Sequence, residues 1–317
     1  MTRQRSRFEG MGASNREGVR VRRMIAWGIS LGLLGGVAAC GDGSPPSSPA
    51  PSASTVSQVP GPGQHELTLV HDGTTRHYRL HAPAGYDPNR PSPLVIALHP
   101  YPGDGLSLSR MVGLDELAAR ENFLVAYPDG INRGFNALVC CGTADDVGFL
   151  TALTEHLIQT WRVDPDRVYL TGISNGGDLS FRAAVEASGR FAAIGVVSGG
   201  FIGDRAAADD YAPTRPVSVI TFIGGQDRYA DDFRTGIGTW QRRLRCTPVT
   251  PAPPPPATGV AHTRARCADG SDVEVYLIEQ MGHAWPGATA GGMAAPDAGV
   301  VATDLIWSFF AAHPRRT

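Results

Sequence analysis

The run Arg167 to Gly177, R-V-Y-L-T-G-I-S-N-G-G, constrains this chain more than any other stretch. Residues 168–171 are a short β-branched and aromatic segment of the kind that forms a buried strand. Residues 179–187 follow as a helix, with Leu179, Phe181, Ala183 and Val185 among their apolar side chains. Between them, Gly172-Ile173-Ser174-Asn175-Gly176 fits G-x-S-x-G, the strand-to-helix turn that exposes a nucleophilic serine. Such a turn is sharp, and side chains at 172 or 176 would strike neighbouring backbone. Alone the pattern is weak. The strand before it and the helix after it give it weight.

The rest of the chain repeats that alternation. Residues 66–70 and 76–81 alternate apolar and polar around Asp72-Gly73, a hairpin signal. Residues 94–98, 123–127, 192–197, 217–223 and 273–278 read as strands, and 261–266 pairs with the last across Asp269-Gly270. Helices are expected over about 109–120, 146–161, 233–244 and 299–312. Together these predict one α/β domain over residues 64–317, a mostly parallel sheet flanked by helices with antiparallel hairpins at its edge.

Open α/β sheets bind ligands beyond the carboxyl ends of their strands. Ser174, Asp227 and His283 all stand at such ends, in the order serine, acid, base. A serine hydroxyl is a poor nucleophile at neutral pH, so an imidazole must take its proton as it attacks. His283 is the expected base, and Asp227 the group that orients it and stabilises the imidazolium. Asp231 and Asp232 are the competing acids. Oxyanion donors are expected at the Asn175 N–H and, because Pro100 and Pro102 have none, at the Tyr101 N–H. His99 reads as a hydrogen-bonded structural residue. Tyr101 and Trp285 are candidates for substrate contact, with packing beneath His283 the equal alternative for Trp285. Asp145 and Asp146 read as the start of a helix.

The amino terminus reads as an export signal. Arg20, Arg22 and Arg23 precede a short apolar run ending in Val37-Ala38-Ala39-Cys40. This is the pattern of a lipoprotein signal over residues 1–39, with Cys40 lipidated as the first mature residue. A plain cleaved signal and a twin-arginine signal at Arg22-Arg23 are the alternatives, and Met11 or Met24 could be the true start. The Ser/Pro-rich residues 40–63 read as a disordered tether. Four further cysteines fit a disulfide-permissive compartment: Cys246 and Cys267 are the natural pair, leaving Cys140 and Cys141 as a vicinal bridge or free thiols. No metal-ligand spacing is visible. Residues 1–39 hold seven Arg against two Glu, leaving 21 basic and 28 acidic residues, with no Lys anywhere. That excludes lysine-based catalysis and gives no basic patch for nucleic acid.

The segments LVIALHPYPGDG, YPDG, CCGTADDVGFL, VDPDRVYLTGISNGG, FAAIGVVSGG and GHAWPG resemble the secreted poly(3-hydroxybutyrate) depolymerase and feruloyl esterase group of carbohydrate esterase family 1. The resemblance covers about residues 65–312. It implies an α/β-hydrolase fold and hydrolysis of carboxylic esters by Ser174, Asp227 and His283. It also implies no metal or organic cofactor. Separately, the expected partner is a small or oligomeric ester, the chain is expected to be a monomer, and lipidated Cys40 its only attachment to a membrane. The chain departs from the group at Pro100 and Ile223, where glycine and histidine are common. Hydroxyalkanoate, feruloyl and acetyl esters are the expected substrates. A peptidase on the same fold, or an inactive surface-anchored binding lipoprotein, are the rival readings.

Overall fold

The all-apolar runs of the sequence form the middle of a ten-stranded sheet in the computed structural model, which describes residues 60–250 and 256–315. In chain order the elements are β1 (Gly63–His71), β2 (Thr74–Ala82), β3 (Ser92–Leu98), α1 (Gly105–Val112), α2 (Leu114–Glu121), β4 (Leu124–Pro128), α3 (Asp146–Thr160), β5 (Val163–Ile173), α4 (Asn175–Glu186) and β6 (Ala193–Val197). They continue with α5 (Asp204–Ala207), β7 (Ser218–Gly224), α6 (Ala230–Arg243), β8 (Thr247–Pro248), β9 (Val260–Arg266), β10 (Asp272–Ile278), the short pair β11 (Trp285–Pro286) and β12 (Ala294–Ala295), and α7 (Ala302–Ala312).

The sheet order is β1-β2-β4-β3-β5-β6-β7-β10-β9-β8. From β4 to β10 every neighbouring pair is parallel. The β1-β2 hairpin closes one side and β9-β8 the other, all antiparallel. Every residue of β3, β4, β6 and β7 is buried, which is why these strands read as unbroken apolar runs rather than alternating ones. Successive side chains of β3 serve opposite faces. Leu94, Ile96 and Leu98 join Leu153, Leu179 and Trp240 beneath α3, α4 and α6. Val95 and Ala97 join Leu117, Ile306 and Phe310 beneath α2 and α7.

Three elements differ from the sequence reading. The helix expected over 109–120 is two helices, broken where Gly113 adopts a left-handed φ of 66°. Helix α4 starts at Asn175, directly after the serine, because tertiary packing overrides the poor helix propensity of Gly176 and Gly177. The four-residue α5 was not expected at all. Cys246 and Cys267 are bonded, tying the end of α6 to the β9–β10 turn, and Cys140 is bonded to Cys141. The signal reading of residues 1–39, the lipidation reading of Cys40 and the tether up to residue 59 lie outside the described residues. Among the described residues no helix is long and apolar enough to cross a membrane.

Candidate active site

Strand β5 ends in the turn that carries Ser174, and the turn works only with glycine at its two corners. A Cβ on Gly172 would lie 2.5 Å from the Gly176 carbonyl carbon, and one on Gly176 would lie 2.2 Å from the Leu98 oxygen. Ser174 itself adopts φ 56°, ψ −123°, an unfavourable conformation for a non-glycine residue that lifts its side chain off the strand. Its N–H donates to Val197 O at 3.0 Å, and its carbonyl accepts from Asp178 N–H at 2.9 Å.

Asp227 and His283 arrive from the ends of β7 and β10, and glycine again sets the approach. A Cβ on Gly224 would lie 2.3 Å from Gly282 O, and one on Gly225 would lie 2.5 Å from Glu279 O. With both side chains absent, Gly225 N–H donates to Ile278 O (2.7 Å) and Gln226 N–H to Met281 O (2.9 Å). The two loops are thereby joined backbone to backbone. His283 Nδ1 then lies 2.7 Å from Asp227 Oδ2, while Tyr229 N–H donates to Asp227 Oδ1 at 3.0 Å. Burial alone would raise the Asp227 carboxyl. The bonds from His283 and Tyr229 N–H outweigh it and hold the group below its ordinary value. Asp231 instead pairs with Arg234 on the outer face of α6 and is almost fully exposed.

The end of β6 and the loop after it touch both the serine's turn and the segment that carries His283. Val197 accepts from Ser174 N–H, and the next residue, Ser198, exchanges two hydrogen bonds with the backbone of Ala284, each 3.2 Å long. The serine's turn and the residue after His283 are thus tied to consecutive residues of one segment. Among the described residues no hydrogen bond joins the Ser174 hydroxyl to the imidazole; such contacts are often loose without substrate.

The second expected oxyanion donor lies on the loop after β3. His99 is fully buried, its ring tilted against Phe135 with centroids 4.4 Å apart. Its Nε2 accepts from Gly130 N–H (2.9 Å), so Nδ1 carries the proton and donates to Pro100 O (2.8 Å). Burial keeps this imidazole below its ordinary value, as suits a neutral structural residue. Because Pro100 O is turned toward the ring of His99, the Tyr101 N–H on the same peptide points the opposite way. The Tyr101 ring lies over Gly134 and remains half-exposed.

Of the two readings of Trp285, its burial favours packing. It is 1 % exposed, and its indole N–H donates to Thr303 Oγ1 (3.0 Å), whose hydroxyl in turn bonds Val112 O (2.5 Å). It is enclosed between α7 and the end of α1. Asp145 caps α3 by accepting from Gly148 N–H, and Asp146 forms a buried ion pair with Arg76.

Two contributors escaped the sequence reading. The Asn175 side chain, considered only for its backbone, accepts from Phe135 N–H (2.8 Å) and donates to Phe135 O (3.0 Å) and Cys140 O (3.2 Å). Asp178 is buried on the first turn of α4 and accepts from Gly200 N–H (2.8 Å). A carboxylate so close to the serine, in a helix turn otherwise made of Asn, Gly and Leu, was the available signal.

Comparison with known proteins places this geometry. Residues 76–212 match the family model described as esterase PHB depolymerase. A protein named as an esterase, NocK of Nocardia uniformis subsp. tsuyamanensis, is 31% identical over 298 residues, covering 86% of this chain and 84% of its own. Feruloyl esterase C of Emericella nidulans is 28% identical over 245 residues, 75% of this chain and 84% of its own. Among solved structures, an acetyl xylan esterase from Aspergillus awamori superposes with a TM-score of 0.59 over 78% of this chain and 99% of its own, at 16% identity, a likeness of fold. The chain, with its mostly parallel α/β-hydrolase sheet, is a carboxylic ester hydrolase and belongs to the esterase PHB depolymerase family.

Proposed function

We propose that the chain is an exported serine esterase that works through an acyl-enzyme, with Ser174 as nucleophile, His283 as general base and acid, and Asp227 as the carboxylate that orients the imidazole. The observation that carries this reading is the 2.7 Å contact of His283 Nδ1 with buried Asp227, made beside the serine's own turn. With Nδ1 committed to the carboxylate, Nε2 is the nitrogen free to take the Ser174 proton. The serine oxygen adds to the ester carbonyl, and the developing oxyanion is held by the N–H groups of Asn175 and Tyr101. Asn175 stands first in α4, so its N–H has no partner within the helix and adds the favourable end of the helix dipole. His283 returns the proton to the leaving alkoxide. Water, deprotonated by the same nitrogen, then releases the acid and restores the serine.

The rim supports an ester with an apolar acyl group. Tyr101 and Val139 are each 53% exposed, and Tyr229 is 38% exposed, on the loops that follow β3, β4 and β7. Feruloyl, acetyl and hydroxyalkanoate esters fit this reading, in keeping with the substrates in the relatives' names. Residues 1–39 are proposed as a lipoprotein-type signal, Cys40 as the lipid attachment site, and the Ser/Pro-rich residues that follow as the tether to a hydrolase domain that opens with β1 at Gly63, one residue earlier than the sequence suggested.

A fluorophosphonate probe tests the nucleophile. Wild type should be labelled and Ser174→Ala should not; labelling of both, or of neither, overturns the assignment. Hydrolysis of methyl ferulate, p-nitrophenyl acetate and hydroxybutyrate oligomers, compared side by side, ranks the substrates.

A further inference from the structure

Asp178 lies four residues after Ser174, is 6% exposed, and takes no part in the ester chemistry described above. It does not cap its own helix. Its Oδ1 instead accepts the N–H of Gly200, at the far end of the Ser198–Gly200 loop. A Cβ on Gly199 would lie 3.2 Å from that same Oδ1 and 2.9 Å from Ser174 O, so the loop rests directly on the serine's turn. At its other end, Ser198 holds Ala284, the residue after His283. One carboxyl therefore anchors the segment from which the imidazole loop hangs.

The charges around this pair are few. Arg182, one helical turn beyond Asp178, is turned to Glu186 and to Asn136 O. Positive charge on His283 would oppose the rise that burial imposes on the Asp178 carboxyl. The imidazole is faced by Asp227, with Arg228 beside that carboxylate, and by the ring of Tyr229 at 6.0 Å. No other hydrogen bond reaches the Asp178 carboxyl among the described residues. Burial pushes it up to about 7, the Gly200 N–H opposing, so that its proton leaves within the working range of an esterase.

We propose that Asp178 is a positioning residue for His283: it fixes the Ser198–Gly200 loop and, when ionised, adds a second negative charge to the surroundings of the imidazolium. This rests on His283 being the base. Charge on Asp178 favours the imidazolium formed during attack. The rate should therefore follow the ionisation of Asp178 as well as the step at the base.

The pH dependence of kcat/KM in wild type and Asp178→Asn tests this. The wild-type ascending limb should need two ionisations. In D178N it should need one, shifted down by about half a pH unit, with plateau kcat reduced roughly threefold. Superimposable profiles overturn the proposal. Should D178N not fold, the wild-type His283 ring followed by NMR decides: two inflections support coupling, and one overturns it. His283→Ala separates the two levels. If H283A retains activity, the base assignment fails; if H283A is inactive while D178N titrates like wild type, only the role of Asp178 fails.

Discussion

The side chain of Asn175 grips Phe135 by both of its backbone groups, taking the N–H at 2.8 Å and giving to the carbonyl at 3.0 Å. The residue after the nucleophile thus fixes the loop that follows β4, on which the Tyr101 ring leans through Gly134. Asn175→Ala keeps its own backbone N–H yet strands the buried Phe135 N–H, while Phe135 O keeps the N–H groups of Ala137 and Cys141, a cost of about 2 kcal/mol. We expect Tm to fall by about 4–8 °C and kcat by about tenfold through the loosened Tyr101 side, with KM little changed. Thermal melts and steady-state kinetics on p-nitrophenyl acetate check both numbers.

The acid assignment separates cleanly by substitution. Asp227→Asn should lower kcat by about 10³–10⁴-fold while leaving the fold intact, because the amide no longer holds the imidazole in its working tautomer. Asp231→Asn and Asp232→Asn, both on the exposed first turn of α6, should stay within about twofold of wild type. A large loss in either of these instead would move the acid role.

Stability should depend on pH through two opposed carboxyls. Asp178 is raised from 3.8 to about 7 on folding, so the native state holds its proton where the unfolded chain has lost it. Its contribution is full below about pH 4 and is lost as pH climbs to about 7, amounting to at most a few kcal/mol. Asp227 is lowered, so its contribution is present above pH 3.8 and is lost as pH falls below that value. Melts of wild type and D178N at pH 5 and pH 8 isolate the first effect. The variant should gain on wild type as pH rises, and an equal gap at both pH values would refute it.

Trp285→Phe tests whether this indole packs or binds. The substitution removes the bond to Thr303 and leaves a small void between α7 and α1, a loss of about 1–3 kcal/mol. We expect a lower Tm with KM unchanged for both ferulate and acetate esters. A selective rise in KM for the ferulate ester would restore the substrate role.

Strand and helix order were legible because buried parallel strands announce themselves as apolar runs: residues 94–98 and 217–223 needed no neighbours to be read. Ser174 was legible for the same local reason, since Gly172 and Gly176 mark the turn. The contact of Asp227 with His283 was readable only as a chain order. What makes it, the bonding of Gly225 and Gln226 to Ile278 and Met281, depends on β7 and β10 being sheet neighbours, which no local pattern encodes. For Trp285 the two readings stayed equal because sequence gives its distance from His283 along the chain and not the direction of its ring. Asn175 and Asp178 went unread for the opposite reason: their partners, Phe135 and Gly200, lie 40 and 22 residues away.

The backbone bonding of the β7 and β10 loops has a mechanical corollary. Acid and base ride on a single stiff unit, so breathing of the site cannot separate them without breaking main-chain bonds. Room for a bulky alcohol or acyl portion would have to come from residues 131–141, which are held by the side chains of Asn175 and Arg182 on α4 and Asp146 on α3. Selectivity can therefore be retuned on that segment while the proton-handling unit stays untouched.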